Sequence, residues 1–258
     1  MPGQREVQAG KQTRARACDT LFFDLYGTLA DIHTDETRID AFRLMAQHCA
    51  AFGARWTPEQ LCRAYAVRRA EALQKAKALP GWTEPDFAGI FSGFLAEKGA
   101  QPTESAVADI AWAFRRGTTE YLRLYPGAAE FLHCARQAGY KCVLVSNAQS
   151  LYTRPELKKL GLDAMLDTVC ISSEAGCKKP DTRFYRYAVE QSGALPARTL
   201  MVGNDALCDI GGGHGAGLHT AYFHTNLSPA EDPACPPQAD MSFEGADFAA
   251  LARAMGLL

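Results

Sequence analysis

From about residue 126 onward, short apolar segments alternate with helical ones. This alternation constrains the fold more than any other feature of the chain. Lys141 to Ser146, Thr168 to Ser172, Thr199 to Gly203 and Thr220 to Phe223 read as strands. Helical spacing fills Ala128 to Gln137 and Asp181 to Ser192, and a last helix runs from about Asp247 to Met255. Residues 228–240 read as loop, with Pro229, Pro233, Pro236 and Pro237 close together. Such alternation specifies an α/β architecture, a Rossmann-like doubly wound parallel sheet with helices on both faces.

One more strand precedes this region. Leu21 to Phe23 is apolar and runs into Asp24, then a turn at Gly27. Asp24 and Ser146, at the ends of the first two strands, stand 122 residues apart. A simple strand–helix–strand unit takes roughly 30 residues, so about 90 are inserted. Ile39 to Phe52, Pro58 to Leu79, Pro85 to Lys98 and Thr103 to Leu122 all carry apolar residues at helical spacing. Thr57 and Pro58 suit an N-cap and first helical position. The expected organisation is a disordered tail over 1–17, an α/β core over 18–32 and 125–258, and a helical cap over 33–124. The flanks Ala30 to Thr34 and Leu124 to Gly127 are the expected hinges.

Four groups fall at strand ends in order. They are Asp24, the pair Ser146-Asn147, the run Lys178-Lys179-Pro180-Asp181, and Gly203-Asn204-Asp205 followed by Asp209. Each alone has a plain structural reading: a turn, a solvated loop, or a helix start that favours acids. Together they suit phosphoryl chemistry. Ser146 and Asn147 supply hydrogen-bond donors to an anion, and a Lys neutralises it. Two or three carboxylates hold Mg²⁺, and the remaining one, Asp24, attacks in line.

From about Thr20 to Leu258 the chain resembles the haloacid dehalogenase-like hydrolases, in the branch with a helical cap between the first and second motifs. Asp24-Leu25-Tyr26-Gly27-Thr28 is similar to that family's first motif, usually Asp-x-Asp-Gly-Thr. The resemblance implies Asp24 as nucleophile, Ser146 as phosphate donor and Lys179 as the motif lysine, with Lys178 as runner-up. It implies Thr28 and Asn147 at the substrate. It implies Mg²⁺ held by Asp24, Asp205, Asp209 and the main-chain carbonyl of Tyr26.

Tyr26 stands where family phosphatases carry the Asp that protonates the leaving group. A phenol with pKa near 10 is a poor substitute. Three readings follow: a phosphatase of a small phosphorylated metabolite, a 2-haloacid dehalogenase, or a catalytically weak protein that binds phosphometabolites. The dehalogenase branch also carries Asp-x-Tyr-Gly-Thr, and a Tyr six residues after the Lys, here Tyr185.

Other features are read as structural. Gly211-Gly212-Gly213-His214-Gly215 suits close helix packing rather than dinucleotide binding. Trp56, Trp82 and Trp112 are expected in the cap core, and Arg68-Arg69 and Arg115-Arg116 on solvated faces. A net charge of −2 gives no field for nucleic acid or an anionic membrane. Nine cysteines with no Cys-x-x-Cys suggest a reduced, cytoplasmic protein. No apolar run approaches a membrane span. The partner expected is a small-molecule substrate.

Overall fold

The computed structural model describes residues 17–258, so the expected tail lies outside the described residues except for Ala17. The elements in chain order are β1 (Thr20–Phe23), β2 (Ala30–Thr34), α1 (Ile39–Ala51), α2 (Pro58–Ala78), α3 (Phe87–Ala96) and α4 (Glu104–Thr118). Next come β3 (Thr119–Leu124), α5 (Ala128–Gln137), β4 (Lys141–Ser146), α6 (Ser150–Leu160), β5 (Thr168–Ile171), α7 (Ser172–Ala175) and α8 (Thr182–Ser192). The chain ends through β6 (Thr199–Gly203), a π turn (Ala206–Gly211), α9 (Gly212–Gly215), β7 (His219–His224), β8 (Met241–Glu244) and α10 (Phe248–Met255).

Six strands form one parallel sheet in the order β5-β4-β1-β6-β7-β8. Both faces are covered. Leu21 and Phe23 of β1 pack with Phe131 of α5 and Phe248 of α10, while Phe22 packs with Phe184 of α8. A strand buried on both faces is apolar throughout, which is why these segments stand out in sequence. β8 was not expected. It is a four-residue edge strand beyond the proline-rich loop, too short and too mixed to announce itself.

Helices α1 to α4 hold a separate core built on Phe42, Tyr65, Phe91, Phe94 and Phe114. Thr57 caps α2 in a reciprocal capping box with Gln60, and Pro58 opens the helix. Trp56 packs at this core and donates its indole N–H to the Phe94 carbonyl at 2.9 Å. Trp82 departs from expectation: it is 46% exposed, because the Pro80-Gly81 turn carries it out of the helical layer.

The expected helix over Thr103 to Leu122 stops at Thr118. The hydroxyls of Thr118 and Thr119 both fold back on the Arg115 carbonyl, at 3.0 and 2.6 Å, and the chain becomes β3. β3 pairs antiparallel with β2, from Ala30 opposite Leu124 to Thr34 opposite Thr119. The Ala30 to Thr34 flank expected as a hinge is therefore one strand of a hydrogen-bonded ribbon, and Leu124 of the other flank ends its partner.

A second junction joins the helical layer to the sheet. The Lys178 N–H donates to the Trp82 carbonyl at 2.9 Å and the Glu84 N–H to the Gly176 carbonyl at 3.2 Å. Thr83 and Cys177 form an antiparallel bridge between them. Gln149 Nε2 adds a bond to Glu84 Oε1 at 2.7 Å.

The glycine run does allow close packing. A Cβ on Gly212 would stand 2.7 Å from the Tyr185 ring and 2.9 Å from the Pro180 Cα. Gly212→Ala is expected to destabilise the protein by about 1–3 kcal/mol through overpacking, which outweighs any gain in helix propensity. A urea titration measures it; an unchanged midpoint would refute the packing role. Among the described residues, no helix is long and apolar enough to cross a membrane.

Candidate active site

The strand order reverses around β1, which lies between β4 and β6. Open α/β sheets bind ligands in the crevice beyond the carboxyl ends of strands at such a point. Asp24 follows β1 directly, and its N–H donates to the Val202 carbonyl of β6 at 3.0 Å. The turn after it needs glycine: Gly27 has φ 88°, and a Cβ there would stand 2.2 Å from the Asn204 side chain.

Lys179 enters the crevice from the loop before α8 and is 1% exposed. Its Nζ donates to Asp24 Oδ1 at 2.7 Å and to Asp209 Oδ1 at 2.6 Å. Lys178 instead uses its backbone in the junction with Trp82, so Lys179 is the lysine of the site. Among the described residues nothing donates to Asp24 Oδ2. Asp209 Oδ2 accepts the N–H groups of Asn204 and Asp205, both at 3.0 Å. Burial holds the Asp209 carboxyl above the usual carboxylate range, against the pull of Lys179 and with a further push from Asp24. Burial alone would lower the Lys179 ammonium, but Asp209 and Asp24 hold it above the usual lysine range.

Asp205 starts the π turn, and its Oδ1 accepts the Cys208 N–H at 2.7 Å. Asp24, Tyr26, Asn147, Lys179, Asp205 and Asp209 line one cavity of about 190 Å³, which Leu227 and Pro229 help to close. Among the described residues, no three acidic, histidine or cysteine side chains are drawn together as a finished metal site. The donor chemistry nevertheless fits a hard cation, because three carboxylate residues and a single ammonium line this cavity. Ser146 is fully buried at the end of β4, and its Oγ has no hydrogen-bond partner among the described residues. An unpaired buried hydroxyl costs about 1–3 kcal/mol, which an incoming acceptor would relieve.

Two residues expected at the substrate also hold their neighbours. The Asn147 amide pairs with the Lys179 peptide, donating to its carbonyl at 3.0 Å and accepting its N–H at 2.8 Å. Its side chain therefore positions the lysine. Thr28 is fully buried, and its hydroxyl donates to Asn204 Oδ1 at 3.1 Å. Tyr185, the residue shared with the dehalogenase pattern, is also buried and donates to the Cys208 carbonyl at 2.6 Å. That bond braces the turn carrying Asp209.

Sequence reasoning missed three residues. Asn204 lines the cavity between β6 and Asp205. Glu156 of α6 is 1% exposed and accepts from the Tyr26 hydroxyl at 2.5 Å. Arg115 of α4, expected on a solvated face, donates from Nε to Glu156 Oε1 at 2.6 Å and stands over the Tyr26 ring, 5.6 Å from its centroid. Only Arg116 of that pair is exposed. The sequence signal for Glu156 was weak: an acid on an otherwise ordinary helix, with its partners far along the chain.

The family model for haloacid dehalogenase-like hydrolases matches residues 18–217. A phosphoserine phosphatase of Thermus thermophilus is 34% identical over 62% of this chain, and the match spans 63% of that relative, less than two thirds of its length. An (S)-2-haloacid dehalogenase 4A of Burkholderia cepacia is 29% identical, covering 84% of this chain and 86% of that protein. The crystal structure of a HAD phosphatase from Thermococcus onnurineus has the same fold, with a TM-score of 0.59 at 20% identity over 92% of this chain and 98% of that one. With a family match over more than half its length, the chain belongs to the haloacid dehalogenase-like hydrolases.

Proposed function

We propose that the chain is a Mg²⁺-dependent phosphatase acting on a small phosphorylated metabolite of the cytoplasm, through an aspartyl-phosphate at Asp24. The observation that carries this reading is the buried Asp24–Lys179–Asp209 bridge in the Asp205-lined cavity. Asp24 Oδ2 attacks phosphorus in line, forming the Asp O–P bond as the bond to the leaving oxygen breaks; water then releases phosphate. Lys179 fixes Oδ1, which aims the other oxygen, and its charge opposes that of the phosphoryl group. The orphaned Ser146 hydroxyl supplies a donor to a phosphoryl oxygen. Asp24, Asp205 and Asp209, with the Tyr26 carbonyl, would hold Mg²⁺, which neutralises charge on the transferring group. Helices α1 to α4 serve as the cap that closes over the site and selects the substrate.

A second reading, 2-haloacid dehalogenase, is favoured by Tyr26 and by the cation Arg115 beside it. Purified protein tested with Mg²⁺ against phosphomonoesters, acyl phosphates and 2-haloacids separates the two. Phosphate release that disappears in excess chelator and returns with Mg²⁺ is expected. Halide release, undiminished by chelator, would establish the second reading. Silence in both arms would leave a binding protein.

A further inference from the structure

Tyr26 occupies the position of the family's acid, and its phenol is already committed. The hydroxyl donates to Glu156 Oε2 at 2.5 Å and lies 3.2 Å from Thr153 Oγ1, both on α6. Glu156 is held from its other side by Arg115, whose side chain is 12% exposed. The three residues come from the turn after β1, from the helical insertion and from a sheet helix. They are joined in one run of hydrogen bonds, from Tyr26 to Glu156 to Arg115.

Tyr26 also stands between two cavities. One holds Asp24; the other, about 480 Å³, lies under Arg115 and is lined by Tyr26, His33, Gln149 and Tyr152. Tyr26 and Leu227 line both, so the ring borders the space beside Asp24. The proton of the Tyr26 hydroxyl is already given to Glu156.

The geometry points to Glu156 as a positioning residue that locks the Tyr26 phenol away from the reaction, confining the enzyme to phosphates whose leaving group departs unprotonated. These are acyl phosphates and phosphates of acidic phenols or enols. This rests on the phosphatase reading and narrows it. In the step itself, the O–P bond breaks with both electrons going to the leaving oxygen. A carboxylate or acidic phenolate accepts them without a proton, whereas an alkoxide does not.

The test is kcat/KM for acetyl phosphate, a series of aryl phosphates of graded phenol acidity, and glycerol phosphate. Wild type is expected to fall steeply with leaving-group basicity. The alkyl ester should lie below the acyl phosphate by the roughly 10²–10⁴-fold that general acid help is typically worth. Tyr26→Phe, which removes the hydroxyl, is expected to keep the same dependence. The double variant Glu156→Leu/Arg115→Met removes both buried charges together, which folds more readily than removing one. It frees the phenol and is expected to flatten the dependence at least tenfold. Alkyl and acyl phosphates hydrolysed within about tenfold of each other by wild type would overturn the inference. So would a steeper dependence in Tyr26→Phe, since the phenol would then have been donating. An unchanged dependence in a folded double variant would remove Glu156 from its role. If no phosphate is released from any compound, the phosphatase reading itself fails. Release with a flat dependence sinks only the narrower inference.

Discussion

Asp24→Asn is expected to abolish phosphate release, lowering kcat by on the order of 10⁴-fold or more, as loss of a catalytic nucleophile does elsewhere. The amide keeps the shape of the carboxylate and can still accept from Lys179 Nζ, which sits 2.7 Å from Oδ1. Asp209 remains to pair the ammonium at 2.6 Å. The fold should therefore persist, with an unchanged far-UV spectrum and a Tm close to wild type. Substantial turnover in the folded variant would exclude Asp24 as the attacking group.

The largest effect on stability is expected at Lys179. It joins two carboxylates with 1% of its own side chain exposed and 11% and 1% of those of Asp24 and Asp209. Lys179→Met keeps most of the volume and removes the only ammonium that lines the cavity among the described residues. Two buried acids then face each other without a counter-charge. Breaking a buried ion pair from one side costs about 3–5 kcal/mol. Chemical denaturation should show that loss, together with loss of turnover. A variant as stable as wild type would mean that the two carboxylates are not both charged in the folded protein.

The sheet and the four strand-end groups were legible because burial on both faces writes itself as continuous apolar runs. Leu21 to Phe23 and Cys142 to Val145 have no other use in a chain of ordinary composition. α5 falls on the predicted residues, Ala128 to Gln137, since its amphipathic stripe is bounded by Pro126-Gly127 before it and Gly139 after. The β2–β3 ribbon was not legible. Its strands carry Asp31, His33, Glu120 and Arg123, and their pairing is specified only between segments far apart in sequence.

The same limit hid the second layer of the site. Arg115 and Glu156 each look like a surface charge on a helix, and only the tertiary fold places one against the other. For Asn147 and Thr28 the residue type was informative, and the bonds they make to Lys179 and Asn204 were not visible. An amide or hydroxyl near a phosphate site can face the ligand or brace its neighbours, and a linear sequence does not say which way it turns.

The backbone junction at residues 82–84 and 176–178 ties the helical layer to the peptide immediately before Lys179. Main-chain bonds of this kind do not depend on which side chains are present. A substitution other than proline leaves those N–H groups in place, whereas a one-residue insertion or deletion shifts the pairing and moves the lysine with it. Any motion that lifts the Trp82–Glu84 segment away pulls on that same peptide. Under the phosphatase reading, a motion that freed this junction would also disturb the lysine that steadies Asp24.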